Sequence, residues 1–367
     1  MPDQTTAHLL TKRTELQKEF TIKHCIQHLV EGKTLNEKEM TSAMKTIMTG
    51  EASHAEMAAF LTALSIRGAV KEELEAAVRV MRHYALPIPS FSGTCVDTCG
   101  TGGDGGRTFN VSTAAAITAA AAGVRILKHG NRAVSSRCGS ADVLEALHIN
   151  IHQKPWEAAH ALNKLGMAFL YAPDYHQSMK YAAPVRKELG FRTIFNIIGP
   201  LANPASPDRQ VVGVYSRKLM HTMAEVLQSL GLQHALVVCG EDGLDELTIT
   251  GINHLCELKK GRILQYSLKP EEVGLKQRRA ADIAGGDAAF NARIIQEAFQ
   301  GKRPDAEDLI AMNAGAVIYV AGRAATLKDG VEKAKQVLRN GKAMNKLQEL
   351  SQSPDKTVPA PEETRVC

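Results

Sequence analysis

Between about residues 20 and 86 apolar side chains recur every three or four positions, as in Ile22, Ile26 and Leu29 and again in Val70, Leu74, Val78 and Met81. That spacing gathers them on one stripe of an α-helix. Thr34 and Ser53 stand where helix N-caps belong. Several short helices and no strands are expected here, closed by Pro87, Pro89 and the SFSG that follows. Beyond Gly93 short apolar runs alternate with helical patterns: strands are expected at 94–98, 124–127, 167–171, 211–215, 235–239 and 318–320, and helices at 113–122, 141–147, 155–165, 219–230, 289–299 and 331–338. Such alternation predicts an α/β fold, a mainly parallel central sheet flanked by helices. The stretch MKYAAPVRKELGFRTIFNIIGPLANPA breaks the pattern and is expected beside the first helices rather than in the sheet. The implied organisation is a flexible extension at 1–18, a small all-helical domain at 19–90 completed by about 177–200, a larger α/β domain at 91–176 and 201–345, and a C-terminal tail, partly disordered, at 346–367.

A chain of 367 residues suits two domains. Its 44% hydrophobic and 23% charged residues exclude collagen-like and disulfide-scaffold classes. Aromatics at 5% leave little for base stacking. The net charge of +5 is scattered, with one basic cluster at 276–279 that reads as solvated surface, so no nucleic-acid track is expected and a small anionic substrate fits better. Seven cysteines at irregular spacing, with no charged-then-apolar leader, predict free thiols and a cytoplasmic location. Cys95 and Cys99 lack a second Cys/His pair at zinc spacing. No apolar run is long enough to predict a membrane span.

The stretch DTCGTGGDGGRTFNVST contains a GxGxxG match at Gly100, Gly102 and Gly105. A dinucleotide site needs the third glycine to open the helix and an acidic residue about 20 positions on. Here GRTFN intervenes and the next strand ends in Lys128, so the match is a coincidence of glycine density. A GxxxxGK[ST] loop is also absent. What survives is physical: successive glycines let backbone N–H groups converge on an anion, and Asn110, Ser112 and Thr113 stand at a helix N-terminus. This reads as a phosphate cradle. A second loop after a strand, KHGNRAVSSRCGSADVLEAL, supplies Lys128, His129, Asn131, Arg132, Ser135, Ser136 and Ser140. A third, EDGLDEL, packs Glu241, Asp242, Asp245 and Glu246 together, hard oxygen ligands of the kind Mg²⁺ selects. Together the loops predict a Mg²⁺-bound, polyphosphorylated substrate, with Asp104 facing a sugar hydroxyl, a water or the metal.

These segments, with APDYHQSMKYAAPVRKELGFRTIFNIIGPLANPA, MTGEASHAEMAAFLTALSIRGAVKEEL and NAGAVIYVAGRAATLKDGVEKA, resemble in order the signature segments of the anthranilate phosphoribosyltransferase family over about residues 20–345. The resemblance implies transfer of phosphoribose from 5-phosphoribosyl 1-diphosphate to anthranilate in tryptophan biosynthesis, in the nucleoside phosphorylase and phosphoribosyltransferase fold class, with a homodimer formed through the helical domain. It implies that Gly100, Gly103, Asp104, Thr108, Asn110, Val111, Ser112, Thr113, Lys128, His129, Gly130, Asn131, Arg132, Ala133, Val134, Ser135, Ser136 and Ser140 hold the phosphoribosyl diphosphate. Ser112, Asp245 and Glu246 would hold two Mg²⁺ ions per subunit, and Gly100, Asn131, Arg186, His129 and His176 would meet anthranilate. Lys128, Asn110 and Ser112 would stabilise the leaving group, with no acid or base assigned. By residue chemistry alone, Arg186 equally suits a solvated helix, and His129 and His176 suit hydrogen-bonded loops. Gln177 and His148 depart from the family, which more often has proline and glycine there. A pyrimidine nucleoside phosphorylase and a non-catalytic nucleic-acid-binding relative are the alternatives; the first has no need of the GLDEL carboxylates, the second no basic groove here.

Overall fold

The computed structural model describes residues 20–91, 93–102, 107–133 and 137–352. The chain divides into two compact units.

The first is helical: α1 (Ile22–Val30), α2 (Glu37–Met48), α3 (His54–Arg67) and α4 (Lys71–His83), with Ser178–Ile194 and its short helix Ala183–Leu189. Each cap satisfies backbone N–H groups that the helix leaves without partners. Thr21 accepts from His24 N–H at α1, and Ser53 forms a capping box with Glu56 at α3. At α2 the cap is Asn36, in a capping box with Glu39, not Thr34 as the sequence suggested. Met40, Met44, Ile47, Met57, Phe60, Leu61 and Leu64 fill the core of this unit. The fully buried Glu73 is neutralised by Arg67 and accepts from Leu35 N–H at 2.7 Å and Val70 N–H at 2.9 Å.

The second unit holds a seven-stranded sheet in the order β3-β2-β1-β4-β5-β6-β7. Five strands are parallel: β1 (Val96–Gly100), β2 (Ile126–Gly130), β3 (Met167–Tyr171), β4 (Arg209–Gly213) and β5 (His234–Gly240). Beside β5 run β6 (Asn253–Lys259) and β7 (Arg262–Leu268), both antiparallel and neither expected from the sequence. From β1 the chain adds β2 and β3 on one side, then returns to add β4 on the other. The carboxyl ends of β1 and β4 therefore flank the switch point where open α/β sheets form a ligand crevice.

Helices α5 (Val111–Ala121), α6 (Ser140–Ala146), α7 (Pro155–Leu165), α8 (Met220–Ser229), α9 (Ala288–Phe299), α10 (Pro304–Val320), α11 (Leu327–Arg339) and α12 (Lys342–Ser351) complete the unit. The expected strand at 318–320 is the last turn of α10, buried from Leu309 to Val320. A short apolar run cannot be told from a buried helix by periodicity. Pro304 at N1 with Asp305 and Glu307 in the first turn starts that helix. The tail expected from 346 instead begins inside α12, where Leu347 and Leu350 are buried. The segments 1–18 and 353–367 lie outside the described residues. The six described cysteines are unbridged, and among the described residues no helix is long and apolar enough to cross a membrane.

Candidate functional site

At the switch point Gly100 of β1 pairs with Gly213 of β4, and the residue after β1, Thr101, donates its N–H to Gly213 O at 2.9 Å. Asp245 lies directly over both glycines. A Cβ on Gly213 would stand 1.5 Å from Asp245 carbonyl oxygen, and one on Gly100 would stand 2.2 Å from Asp245 Oδ2. Only a missing side chain lets the acidic loop after β5 come this close. Asp245 Oδ2 then accepts the N–H of Gly102 at 2.6 Å, which ties the loop to the first residues of the glycine-rich segment.

The four carboxylates of that loop separate by role. Asp242 builds the loop, accepting from Thr248 Oγ1 at 2.9 Å, Thr250 Oγ1 at 2.5 Å and Leu244 N–H at 3.2 Å. Glu241 is exposed. Asp245 is buried, and Glu246 accepts the Ser112 N–H at 3.2 Å in the first turn of α5, where the helix dipole favours an anion. The Glu246 carboxyl is nevertheless pushed well up, first by burial and then by the charge of Asp245, while Lys128 and Ser112 pull it back. Two acids held side by side at that cost, with Ser112 adjoining, are a donor set that a hard divalent cation relieves. The residues fit Mg²⁺.

Lys128 and His129, just before the last residue of β2, are buried. Beneath them Asp97 of β1, fully buried, accepts His129 N–H at 3.1 Å through Oδ1 and Asn203 Nδ2 at 2.9 Å through Oδ2. Asn203 Nδ2 also reaches Leu127 O at 2.9 Å, and Gln210 Nε2 donates to Pro200 O at 2.7 Å. Lys128 Nζ donates to Thr98 O. Burial pushes the Asp97 carboxyl up to about 6, against the pull of Asn203, Lys128 and His129 N–H. Asp97, Asn203, Gln210 and Gly213 were not singled out from the sequence. The available signal was polar residues inside otherwise apolar strands.

Several expected ligands are spoken for by the protein itself. The Arg132 guanidinium pairs with Glu145 and Asp142, donates to Tyr171 OH at 3.2 Å and lies over that ring, 5.7 Å from its centre. Asn110 stands at the N-cap of α5 but its side chain makes no capping bond: it donates to Cys138 O at 3.1 Å and accepts from Asn291 Nδ2 at 3.0 Å. Val111 and Thr113 are buried in the core, leaving only backbone groups to offer. Thr108 bridges to Ala284. In the second loop Asp142 accepts from Ala133 N–H at 2.9 Å and Gly139 N–H at 2.8 Å, and Ser140 Oγ donates to Asn131 O at 3.2 Å. Gly130 leaves Ser140 room, since a Cβ there would stand 2.2 Å from its Oγ. Asn131 is exposed, and the rings of His129 and His176 lie 5.1 Å apart. Arg186 belongs to the helical unit, half-buried, with its pKa lowered by desolvation. Gly103, Asp104, Val134, Ser135 and Ser136 lie outside the described residues.

Residues 23–85 match the helical bundle domain, and residues 92–344 the α/β domain, of a glycosyl transferase family. The anthranilate phosphoribosyltransferase of Brevibacillus brevis is 47% identical over 327 residues, 89% of this chain and 96% of that protein. That of Moorella thermoacetica is 48% identical over 329 residues, 90% of this chain and 97% of that protein. The chain belongs to the anthranilate phosphoribosyltransferase family. The Thermus thermophilus crystal structure superposes with a TM-score of 0.84 at 43% identity, covering 89% of this chain and 98% of that one. The yeast enzyme in complex with phosphoribosyl diphosphate and Mg superposes at 0.80 and 26% identity, covering 90% and 96%.

Two consequences are measurable. Gly213→Ala should cost about 1–3 kcal/mol in urea unfolding, the range for overpacking, because Asp245 backbone must move; unchanged stability would show that the acidic loop does not depend on this close approach. Asp97 is more acidic unfolded than folded, so its contribution to stability is fully present below about pH 4 and is lost as pH rises through about 6. From the shift between 3.8 and about 6 this amounts to about 3 kcal/mol. Asp97→Asn should remove that slope, read as the difference between the two proteins' unfolding free energies across pH 4–7.

Proposed function

We propose that the chain transfers the 5-phosphoribosyl group of 5-phosphoribosyl 1-diphosphate to the amine of anthranilate, releasing pyrophosphate, as a step of tryptophan biosynthesis. One observation carries the reading at the residue level: at the switch point of the sheet Glu246 meets the N-terminus of α5 and its neighbour Asp245 the N–H of Gly102, beside the buried amine of Lys128. Membership of the family supports the choice of substrates, and the yeast relatives crystallised with phosphoribosyl diphosphate and with Mg support the choice of metal.

In this reading Asp245 and Glu246, with Ser112, hold Mg²⁺, two ions per subunit. The metal supplies neutralisation of charge on the departing pyrophosphate. Lys128, Ser112 and the backbone N–H groups of the glycine and lysine loops orient the diphosphate and stabilise the same developing charge. Arg186 offers anthranilate's carboxylate a planar pair of donors, and Asn131, His129, His176 and Gly100 border the acid. Rate comes from positioning and leaving-group stabilisation, so no protein nucleophile is required. Arg132 acts indirectly, holding Tyr171 and the acids of α6. A homodimer through the helical unit and a cytoplasmic location complete the proposal.

Purified protein given anthranilate, phosphoribosyl diphosphate and Mg²⁺ should consume anthranilate fluorescence; no turnover would overturn the reading. Asp245→Asn with Glu246→Gln should lower kcat/KM by about 100-fold or more, as loss of a main electrostatic stabiliser does, and should blunt the dependence on Mg²⁺. Arg186→Ala should raise the KM for anthranilate by about 10–100-fold, the worth of a charge-assisted hydrogen bond, while leaving the KM for phosphoribosyl diphosphate within about twofold. Equal changes in both would remove Arg186 from the aromatic acid.

A further inference from the structure

In the helical unit, far in sequence from the residues of the crevice, His24 and His28 stand one turn apart on α1 and both reach Glu39 on α2. His24 Nε2 lies 3.3 Å and His28 Nδ1 3.1 Å from the same oxygen, Glu39 Oε1, and the two rings are 4.2 Å apart. The three ligand atoms fall within 4.8 Å of one another. We propose that His24, His28 and Glu39 form a divalent transition-metal site of the Zn²⁺ type that clasps α1 to α2.

The geometry suits such an ion. Ligands bound to zinc at about 2.0–2.1 Å in a tetrahedron are about 3.3–3.4 Å from one another. The two nitrogen-to-oxygen edges of the cluster, 3.3 and 3.1 Å, are close to that length. The carboxylate is also held in place before any ion arrives: Glu39 is buried, and its other oxygen, Oε2, accepts Asn36 N–H at 2.8 Å in the capping box of α2. A support of this kind behind a ligand is what orients metal sites. Imidazole nitrogens favour zinc and its neighbours over Mg²⁺. Access is open, because the His24 side chain is 42% exposed and His28 and Glu39 line a surface groove with Leu35, Asn36 and Val70. Binding requires both imidazoles neutral, each with its proton on the ring nitrogen that faces away from the ion. Three protein ligands leave one position for water or an exchangeable group. Cys25 takes no part: its thiol points to Glu39 O at 3.4 Å, and burial pushes its pKa up to about 11.

The test titrates chelator-treated full-length protein with Zn²⁺ by calorimetry and with Co²⁺ by visible absorption, alongside His24→Ala/His28→Ala and Glu39→Gln. The parent should take up one more Zn²⁺ per chain than the double histidine variant, with a micromolar or tighter Kd, and should give an intense four-coordinate Co²⁺ spectrum that the variant lacks. Glu39→Gln, which keeps an oxygen for the cap, should weaken binding by more than the about 10–100-fold that loss of a supporting partner costs. Any zinc taken by Asp245 and Glu246 is common to all these proteins and cancels. Equal stoichiometry and the same Co²⁺ spectrum in parent and double variant, with both folded by circular dichroism, would overturn the site.

Discussion

The crevice depends on one steric constraint: the end of β4 must carry no side chain where Asp245 crosses it. With Gly213 paired to Gly100 in register, the acidic loop comes within contact of the sheet's backbone and its carboxylate reaches Gly102 N–H. The consequence is electrostatic. An acid placed there meets the first turn of α5 through its neighbour Glu246, so backbone dipoles, a lysine and two carboxylates converge on one point. Asp242 frees its neighbours for this by taking on the internal bonding of the loop, accepting from two threonines and a backbone N–H.

A second layer lies beneath the first. Asp97 gives the strand ends their polarity from inside: it accepts from the backbone of His129 and from Asn203, which is itself bound to Leu127 O. A buried carboxylate is tolerated only when its oxygens are satisfied. That its carboxyl still rises to about 6 shows that desolvation outweighs its partners. Charge is thus stored below the crevice as well as within it, and β1, β2 and the 203–210 segment are joined through a single side chain.

Much of this was legible because the loops are contiguous. Glycines, then Ser112, then a helix; a strand, then Lys128; a strand, then Asp245 and Glu246: each carries its own local chemistry, and parallel alternation alone sends all three to one edge of a sheet. What sequence spacing cannot assign is a side chain's partner that comes from elsewhere in the chain. Arg132 is claimed by Glu145, Asp142 and Tyr171, and Asn110 by Cys138 and Asn291, none of which sequence spacing can assign. The same applies to His24, His28 and Glu39, which two helices bring together. The strand β7 escaped because its half-exposed pattern lacks the unbroken apolar run of a central strand, and β6, although mostly buried, has its apolar run broken by Asn253, His254 and Glu257. His148, where the family more often has glycine, adopts φ 61°, the left-handed conformation that explains why glycine suits that position.

Under the proposed function, the two anionic partners of the crevice set the logic of binding. A diphosphate and the Asp245–Glu246 pair repel each other, and burial has already made Glu246 hard to ionise. The N–H groups at α5 and the single amine of Lys128 cannot offset both. A divalent cation resolves the conflict from either side, lowering the cost of ionising the acids and of bringing phosphate beside them. Because each then favours the other, the proposed site requires metal and diphosphate to bind with positive, reciprocal coupling. A crevice built only to bind phosphate would have placed no acids there; one built only to bind metal would not have aimed a helix N-terminus and a lysine at the same point.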